Sequence, residues 1–236
     1  MKKQLKVWSA STLFTIAALI FSSCNFSDRG AIPVQNENKK DHELKQKDLI
    51  PMYNPAVAID STSLLMYPIT LEASGKRDKG LKILSYDGSN GPYWNIAFYD
   101  TSTGNSNLLN SDRIIRITSF QKLKNLIAYR VNVTDYNRNG ALEDDDPTYV
   151  FVSELDGKNF RQITPEGMNC DFSTVSNTDI LLIQATSDVN KDKKFGEGDA
   201  GIPMIFNPQK APVAKETFST SFRDQVTKSL NKLYKN

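Results

Sequence analysis

From Pro51 onward the apolar positions fall in short runs rich in Ile, Val, Phe and Tyr, separated by Gly, Asn, Asp and Pro. Runs of this length bounded by turn formers predict strands. The runs recur. One strand type spans Ser63 to Pro68, Asn125 to Arg130 and Asp179 to Gln184; a second spans Trp94 to Asp100, Tyr149 to Glu154 and Ile202 to Asn207. The second type starts at 94, 149 and 202, spacings of 55 and 53 residues. A weaker strand precedes each pair (Ala56–Ile59, Ile114–Phe120, Asn169–Val175), and a polar turn with a short strand follows it (Asn107–Leu109, Phe160–Ile163, Val213–Phe218). The pattern predicts four strands, three times over. The C-terminus has another period. Phe222, Val226, Leu230 and Leu233 recur at helical spacing after Ser221, a candidate N-cap, predicting an amphipathic helix over about 221–235 that covers a sheet edge.

Asp156-Gly157 is a two-residue hairpin signal inside the second unit. Around it, Tyr149 to Pro165 resembles a blade of the TolB-type propellers, in which one strand runs into Asp-Gly-Lys and the next ends in Leu-Thr; here the residues are Asp156-Gly157-Lys158 and Ile163-Thr164. The resemblance covers about thirty residues, and the other two units share only its patterning. It implies an all-β fold of three four-stranded propeller-like blades plus the helix, with an antiparallel β-sandwich as the alternative. Propellers close with four blades or more. Three therefore predict an open arc, or a homo-oligomer that closes the repeat array.

The first residues differ in kind. Lys2, Lys3 and Lys6 precede an apolar stretch from Leu13 to Phe21, followed by Ser22-Ser23-Cys24. A basic start, a short apolar run and small residues form a secretory leader over 1–23. Small residues ahead of a cysteine resemble the lipobox of bacterial lipoproteins, which implies cleavage before Cys24, its acylation by palmitate-type chains, and attachment to a membrane. Asn25 follows; in enterobacterial lipoproteins Asp at that place favours the inner membrane, so the resemblance implies the outer membrane of the cell envelope. Residues 24–50 are polar and read as a tether, leaving 51–236 as the β-repeat domain. Of two cysteines, Cys170 reads as a small buried apolar residue, with a Cys24–Cys170 disulfide as the rival.

With 29 basic and 27 acidic residues, and three of the lysines in the leader, charge gives no case for nucleic acid as a partner. The one histidine, His42, lies in the tether, so Ser-His-Asp or Cys-His machinery has no imidazole in the folded part.

Acid is concentrated in two loops. Asp135 to Asp146 and Asp188 to Asp199 each place side-chain oxygens at positions 1, 3, 5 and 12 of a twelve-residue span, with an apolar residue at position 8. A hard cation takes about six to eight oxygens, and this spacing wraps a loop around one. The candidate ligands of Ca²⁺ are Asp135, Asn137, Asn139, the carbonyl of Ala141, Glu143 and Asp146 in loop one, and Asp188, Asn190, Asp192, the carbonyl of Lys194 and Asp199 in loop two. Gly140 permits the sharp turn at position 6; Lys193 must take it with a Cβ. Leu142 anchors loop one in the core, and its five acids face one base within the loop, Arg138. The loops resemble those of EF-hands, dockerins and FG-GAP propeller blades. Strands flank them here, as in FG-GAP blades, and position 12 is Asp rather than the Glu of EF-hands.

These features favour a lipid-anchored envelope binding or scaffold module with structural Ca²⁺ and an unknown protein or glycan partner. Two alternatives stand beside it: a carboxylate-dependent glycoside hydrolase, and a TolB-like partner-binding component of an envelope complex.

Overall fold

The computed structural model describes residues 32–33, 49–73 and 90–234. The leader, Cys24, His42 and most of the tether lie outside the described residues, as does the connection 74–89.

In chain order the strands are β1 (Ile32–Pro33), β2 (Leu49–Tyr53), β3 (Val57–Ala58), β4 (Leu64–Ala73), β5 (Asn90–Tyr93), β6 (Asn95–Asp100), β7 (Ser106–Leu108), β8 (Arg116–Lys122), β9 (Leu126–Asn132), β10 (Ala141–Leu142), β11 (Thr148–Glu154), β12 (Arg161–Gln162), β13 (Met168–Thr174), β14 (Leu181–Ser187), β15 (Ala200–Phe206) and β16 (Lys215–Glu216), followed by α1 (Thr220–Leu233). The fold is all-β and antiparallel with one C-terminal helix. Three main sheets form, ordered β2-β4-β6-β7 with β3 also on β4, then β12-β11-β9-β8-β5, then β13-β14-β15-β16. Each contains one of the three sets of four antiparallel strands that the periodicity predicts, β3-β4-β6-β7, β8-β9-β11-β12 and β13-β14-β15-β16. Three pieces carry no sequence signal. β5 leaves the first repeat and pairs with β8 of the second sheet, with only Trp94 between it and β6. β2 extends the first sheet, and β1 pairs with β10.

The middle sheet explains the most apolar part of the sequence. Tyr149 and Phe151 of β11 enter one core cluster with Tyr129 and Val131 of β9 and with Ile96 and Phe98 of the first sheet. Val150 and Val152 enter a second cluster with Ala128 of β9 and with Phe172, Leu181 and Ile183 of the third sheet. A strand buried on both faces reads as a continuous apolar run, as β11 does. β14 has one covered face, and its residues alternate accordingly: Leu181, Ile183 and Ala185 are buried and Leu182 and Gln184 exposed.

Cys170 is a free thiol buried in the second cluster, where desolvation pushes it up to about 11. Asp156-Gly157 sits at the tip of a turn longer than two residues, closed by the Glu154 N–H donating to the Lys158 carbonyl at 2.9 Å. Gly157 has φ +82°, and a Cβ there would strike the Phe98 ring of the first sheet. Glycine at this turn thus serves both the backbone and the close approach of neighbouring sheets.

The first sheet's equivalent turn is held by Asp100. Its carboxylate accepts from Ser63 Oγ at 2.6 Å, and from Ser102 N–H and Oγ at 2.9 and 2.7 Å. These donors, led by Ser63, hold its pKa well below the usual carboxylate range. A lowered folded pKa contributes stability that is present above the unfolded value near 3.8 and lost as pH falls through the folded value. Asp100→Asn is expected to flatten the acid limb of the stability–pH curve below about pH 4, read by urea unfolding at several pH values. An unchanged limb would refute this role.

The helix corrects two expectations. Its N-cap is Ser219, not Ser221: Ser219 is extended and its side chain accepts from the Phe222 N–H at 3.3 Å. It covers no sheet edge, because none of its residues is buried. The Arg223–Glu216 ion pair at 2.8 Å and the stacked rings of Phe218 and Phe222 fix its first turn. Val226, Leu230 and Leu233 face outward at 54, 55 and 78 % exposure.

Candidate cation loops

The two acidic loops occupy the same connection in successive sheets. Loop one joins β9 to β11 and loop two joins β14 to β15. Their internal hydrogen bonds correspond position by position. The N–H at position 2 donates to the position-12 carboxylate (Tyr136 to Asp146, 2.8 Å; Val189 to Asp199, 3.0 Å). So does the N–H at position 9 (Glu143 to Asp146, 3.0 Å; Gly196 to Asp199, 2.9 Å). The N–H at position 6 donates to position 1 (Gly140 to Asp135, 2.8 Å; Lys193 to Asp188, 3.1 Å). Position 5 donates to the position-3 amide (Asn139 to Asn137; Asp192 to Asn190, both 2.9 Å). Position 7 donates to position 5 (Ala141 to Asn139, 3.0 Å; Lys194 to Asp192, 2.8 Å). Short polar side chains fold each loop by bonding the backbone ahead of them, the ordinary behaviour of Asp and Asn in turns.

Position 6 turns with positive φ in both loops, at Gly140 (94°) and at Lys193 (65°), so the lysine takes the left-handed turn that its place in the motif demands. Position 4 does the same at Arg138 and Lys191, both at 62°, which spacing alone does not reveal. Leu142 is fully buried in β10, paired with Ile32 of β1, as expected of an anchor. Phe195, at the same position of loop two, is half-buried.

The loops differ in depth. Glu143 and Asp146 of loop one are buried, at 7 and 2 % exposure. Glu143 accepts from the side-chain amides of Asn137 and Asn139. Burial pushes the Asp146 carboxyl above its ordinary range, against the pull of the Glu143 and Tyr136 N–H groups. Loop two is more open, and there the Gly196 N–H holds Asp199 below its ordinary range.

Two features are invisible in the spacing. Arg116 of β8, 3 % exposed, donates to Asn132 Oδ1 at 2.8 Å and to Asp144 at 2.7 Å. Loop one thus has a second basic partner besides Arg138. Tyr136 ties the loops together. Its hydroxyl donates to Asp188 Oδ2 at 3.0 Å, and its ring lies 5.3 Å from that of Phe195. The same bond raises the Tyr136 pKa. Asp188 Oδ2 therefore has two donors, Tyr136 and Lys193, while its Oδ1 is closed to solvent and without a hydrogen-bond partner among the described residues.

Among the described residues, no three His, Cys, Asp or Glu side chains are gathered as a metal cage. Backbone N–H groups reach the carboxylates of Asp135, Asp146, Asp188, Asp192 and Asp199, and side-chain amides reach Glu143. Two clefts lie elsewhere. One, of about 420 Å³ between the first and second sheets, is lined by Met66, Phe120, Ile127 and Arg130 with no acid; the other, of about 750 Å³, has one carboxylate, Asp112. Neither pairs two carboxylates across a reaction centre. No helix of the described residues is long and apolar enough to cross a membrane. No protein-family model, curated protein or solved structure matches the chain.

Proposed function

We propose that the chain is a lipid-anchored cell-envelope binding module, a TolB-like propeller-type array of four-stranded units whose two acidic loops are braced by Ca²⁺. The observation that carries the cation reading is Asp188 Oδ1. A carboxylate oxygen removed from water with no donor costs free energy, and a cation at the first position of the loop supplies the missing partner. The corresponding bonding of two loops that share Asp, Asn and Asp at positions 1, 3 and 12 extends the reading to Asp135. Ligands at positions 1, 3, 5, 7 and 12 would hold the ion, with Glu143 adding to loop one alone. The sequence around Cys24 supports the lipid anchor. The module's partner is a protein or glycan of the envelope.

Calcium titration by calorimetry tests the reading. Extracellular modules bind with Kd of about 10⁻⁴–10⁻³ M. An ion held only by the folded form adds RT ln(1 + [L]/Kd), about 1–2 kcal/mol at modest saturation. Wild-type protein is expected to release heat and gain thermal stability in CaCl₂. Asp135→Ala and Asp188→Ala are each expected to remove one class of site. No heat, and the same melting temperature in CaCl₂ and chelator, would end the cation reading. The anchor has its own readout: metabolic labelling with an alkyne palmitate should be lost in Cys24→Ser.

A further inference from the structure

Each sheet has two faces, and the strand registers assign the side chains of its strands to one or the other. In the middle sheet, Ile127, Tyr129, Val131, Tyr149 and Phe151 point back into the core shared with the first sheet. Ala128, Val150 and Val152 point onward into the core shared with the third. The repeat carries these positions to the other sheets. Backward positions of the third are Leu181, Ile183 and Ala185, all buried against the middle sheet. Forward positions of the first are Met66, Ile96 and Phe98, also buried against the middle sheet. The chain therefore makes one kind of interface twice, forward face to backward face.

Two faces have no neighbouring sheet among the described residues. On the backward face of the first sheet, Leu65 pairs with Tyr99, and Tyr67 with Ala97, which in turn pairs with Leu108. Tyr99 and Leu108 are 38 and 46 % exposed, and Leu65, Tyr67 and Ala97 are half-buried. The patch ends at Ile69 and Asn95, already buried within the chain. On the forward face of the third sheet, Leu182 pairs with Ile205, at 48 and 36 % exposure. One end thus offers the backward half of the interface and the other end the forward half. The obvious internal cover for the third sheet, α1, has no buried residue.

We propose that a second copy of the chain occupies both faces, the third sheet of each copy packing on the first sheet of the other, so that two chains close one ring of six sheets. A contact between unlike faces gives either a ring or an open polymer. Six units fall within the range at which radially arranged four-stranded sheets close. The occupant follows from the two internal interfaces, which are templates for the missing one and need a forward and a backward face together. Only another copy is guaranteed to bring both. The proposal rests on reading the three sheets as one repeat array; it needs neither the cation nor the lipid.

The test is sedimentation velocity of the full chain in density-matched detergent, in CaCl₂ and in chelator. Wild type is expected at twice the mass of the single chain. Tyr99→Arg alters the backward face and Leu182→Arg the forward face, both at exposed positions where circular dichroism can verify the fold. Each is expected to weaken the dimer at least tenfold, since an unpaired charge at an interface centre costs above about 1.4 kcal/mol. An equimolar mixture of the two is expected to associate better than either alone, because a mixed dimer retains one unaltered interface. Leu108→Arg and Ile205→Arg replace the pair if either variant misfolds. A single chain at about 100 µM, well above the micromolar range of standard interfaces, would overturn the proposal. So would a dimer indifferent to Leu182→Arg, or mass growing without limit with concentration. If the dimer persists in chelator while calorimetry gives no heat, the cation reading fails and the ring stands.

Discussion

Phe151→Ala is expected to lower the free energy of unfolding by roughly 3–5 kcal/mol, read as a reduced midpoint in urea at constant slope. Phe151 is fully buried in β11, an interior strand of the middle sheet, paired with Tyr129 on one side and Gln162 on the other. Its ring stacks on Phe160 at 4.8 Å, and the Arg113 guanidinium lies over it at 5.2 Å. Truncation removes apolar burial and leaves a cavity between two sheets whose backbones are fixed by ladder bonds on both sides, so little collapse can refill it. Native domains have only about 5–15 kcal/mol in hand. The loss would be a large share of the total. Leu182→Ala, of similar chemistry on an open face, is expected to cost under about 1 kcal/mol in single-chain conditions. Equal losses at the two sites would contradict the assignment of covered and open faces.

That contrast also says how much of the molecule its sequence discloses. Strand period and recurrence are local, so the three sets of four strands can be read from Ala56, Ile114 and Asn169 onward. The continuous run in β11 and the alternation in β14 even distinguish a sheet covered twice from one covered once. Pieces whose pairing is decided at a distance leave no such trace. Asn90 to Tyr93 contains Gly and Pro and has no strand pattern, yet it pairs with β8 because the following turn at Trp94 delivers it there. The apolar stripe of α1 shows that the helix has a face but not what the face meets. In the loops, the positions of Asp135, Asn137 and Asp146 disclose the bonding pattern, since Asp and Asn fold a turn through their own backbone neighbours. Tyr136 and Asp188 are 52 residues apart, and their bond exists only because successive sheets bring equivalent loops side by side.

Arg116→Met is expected to separate the fold's need for a positive charge from the loop's. Arg116 is buried and Asn132 is fully buried, while Asp144, its acidic partner, is 77 % exposed at the side chain. The Asp144 contact is therefore solvent-screened and contributes little. The larger loss is the bond to Asn132 Oδ1, which would be left buried without that donor. Asn132 in turn donates to the carbonyls of Asp146 and Pro147 at 3.0 and 3.1 Å, so it holds the foot of loop one. An unpaired buried acceptor costs about 1–3 kcal/mol, and methionine restores most of the volume, so a loss in that range is expected in chelator. Removing the Arg116 charge, which pairs with Asp144, also leaves the five loop acids, Asp135, Glu143, Asp144, Asp145 and Asp146, with less positive charge to offset their mutual repulsion. Calcium should then stabilise the variant more than it stabilises wild type, and the gap between the two unfolding curves should narrow as CaCl₂ is raised. Magnesium, which prefers a tighter octahedral shell and gives up its waters reluctantly, should narrow it less. If equal ionic strengths of NaCl and CaCl₂ narrow the gap alike, loop one is a screened acidic hairpin and the divalent reading of Asp135 to Asp146 fails.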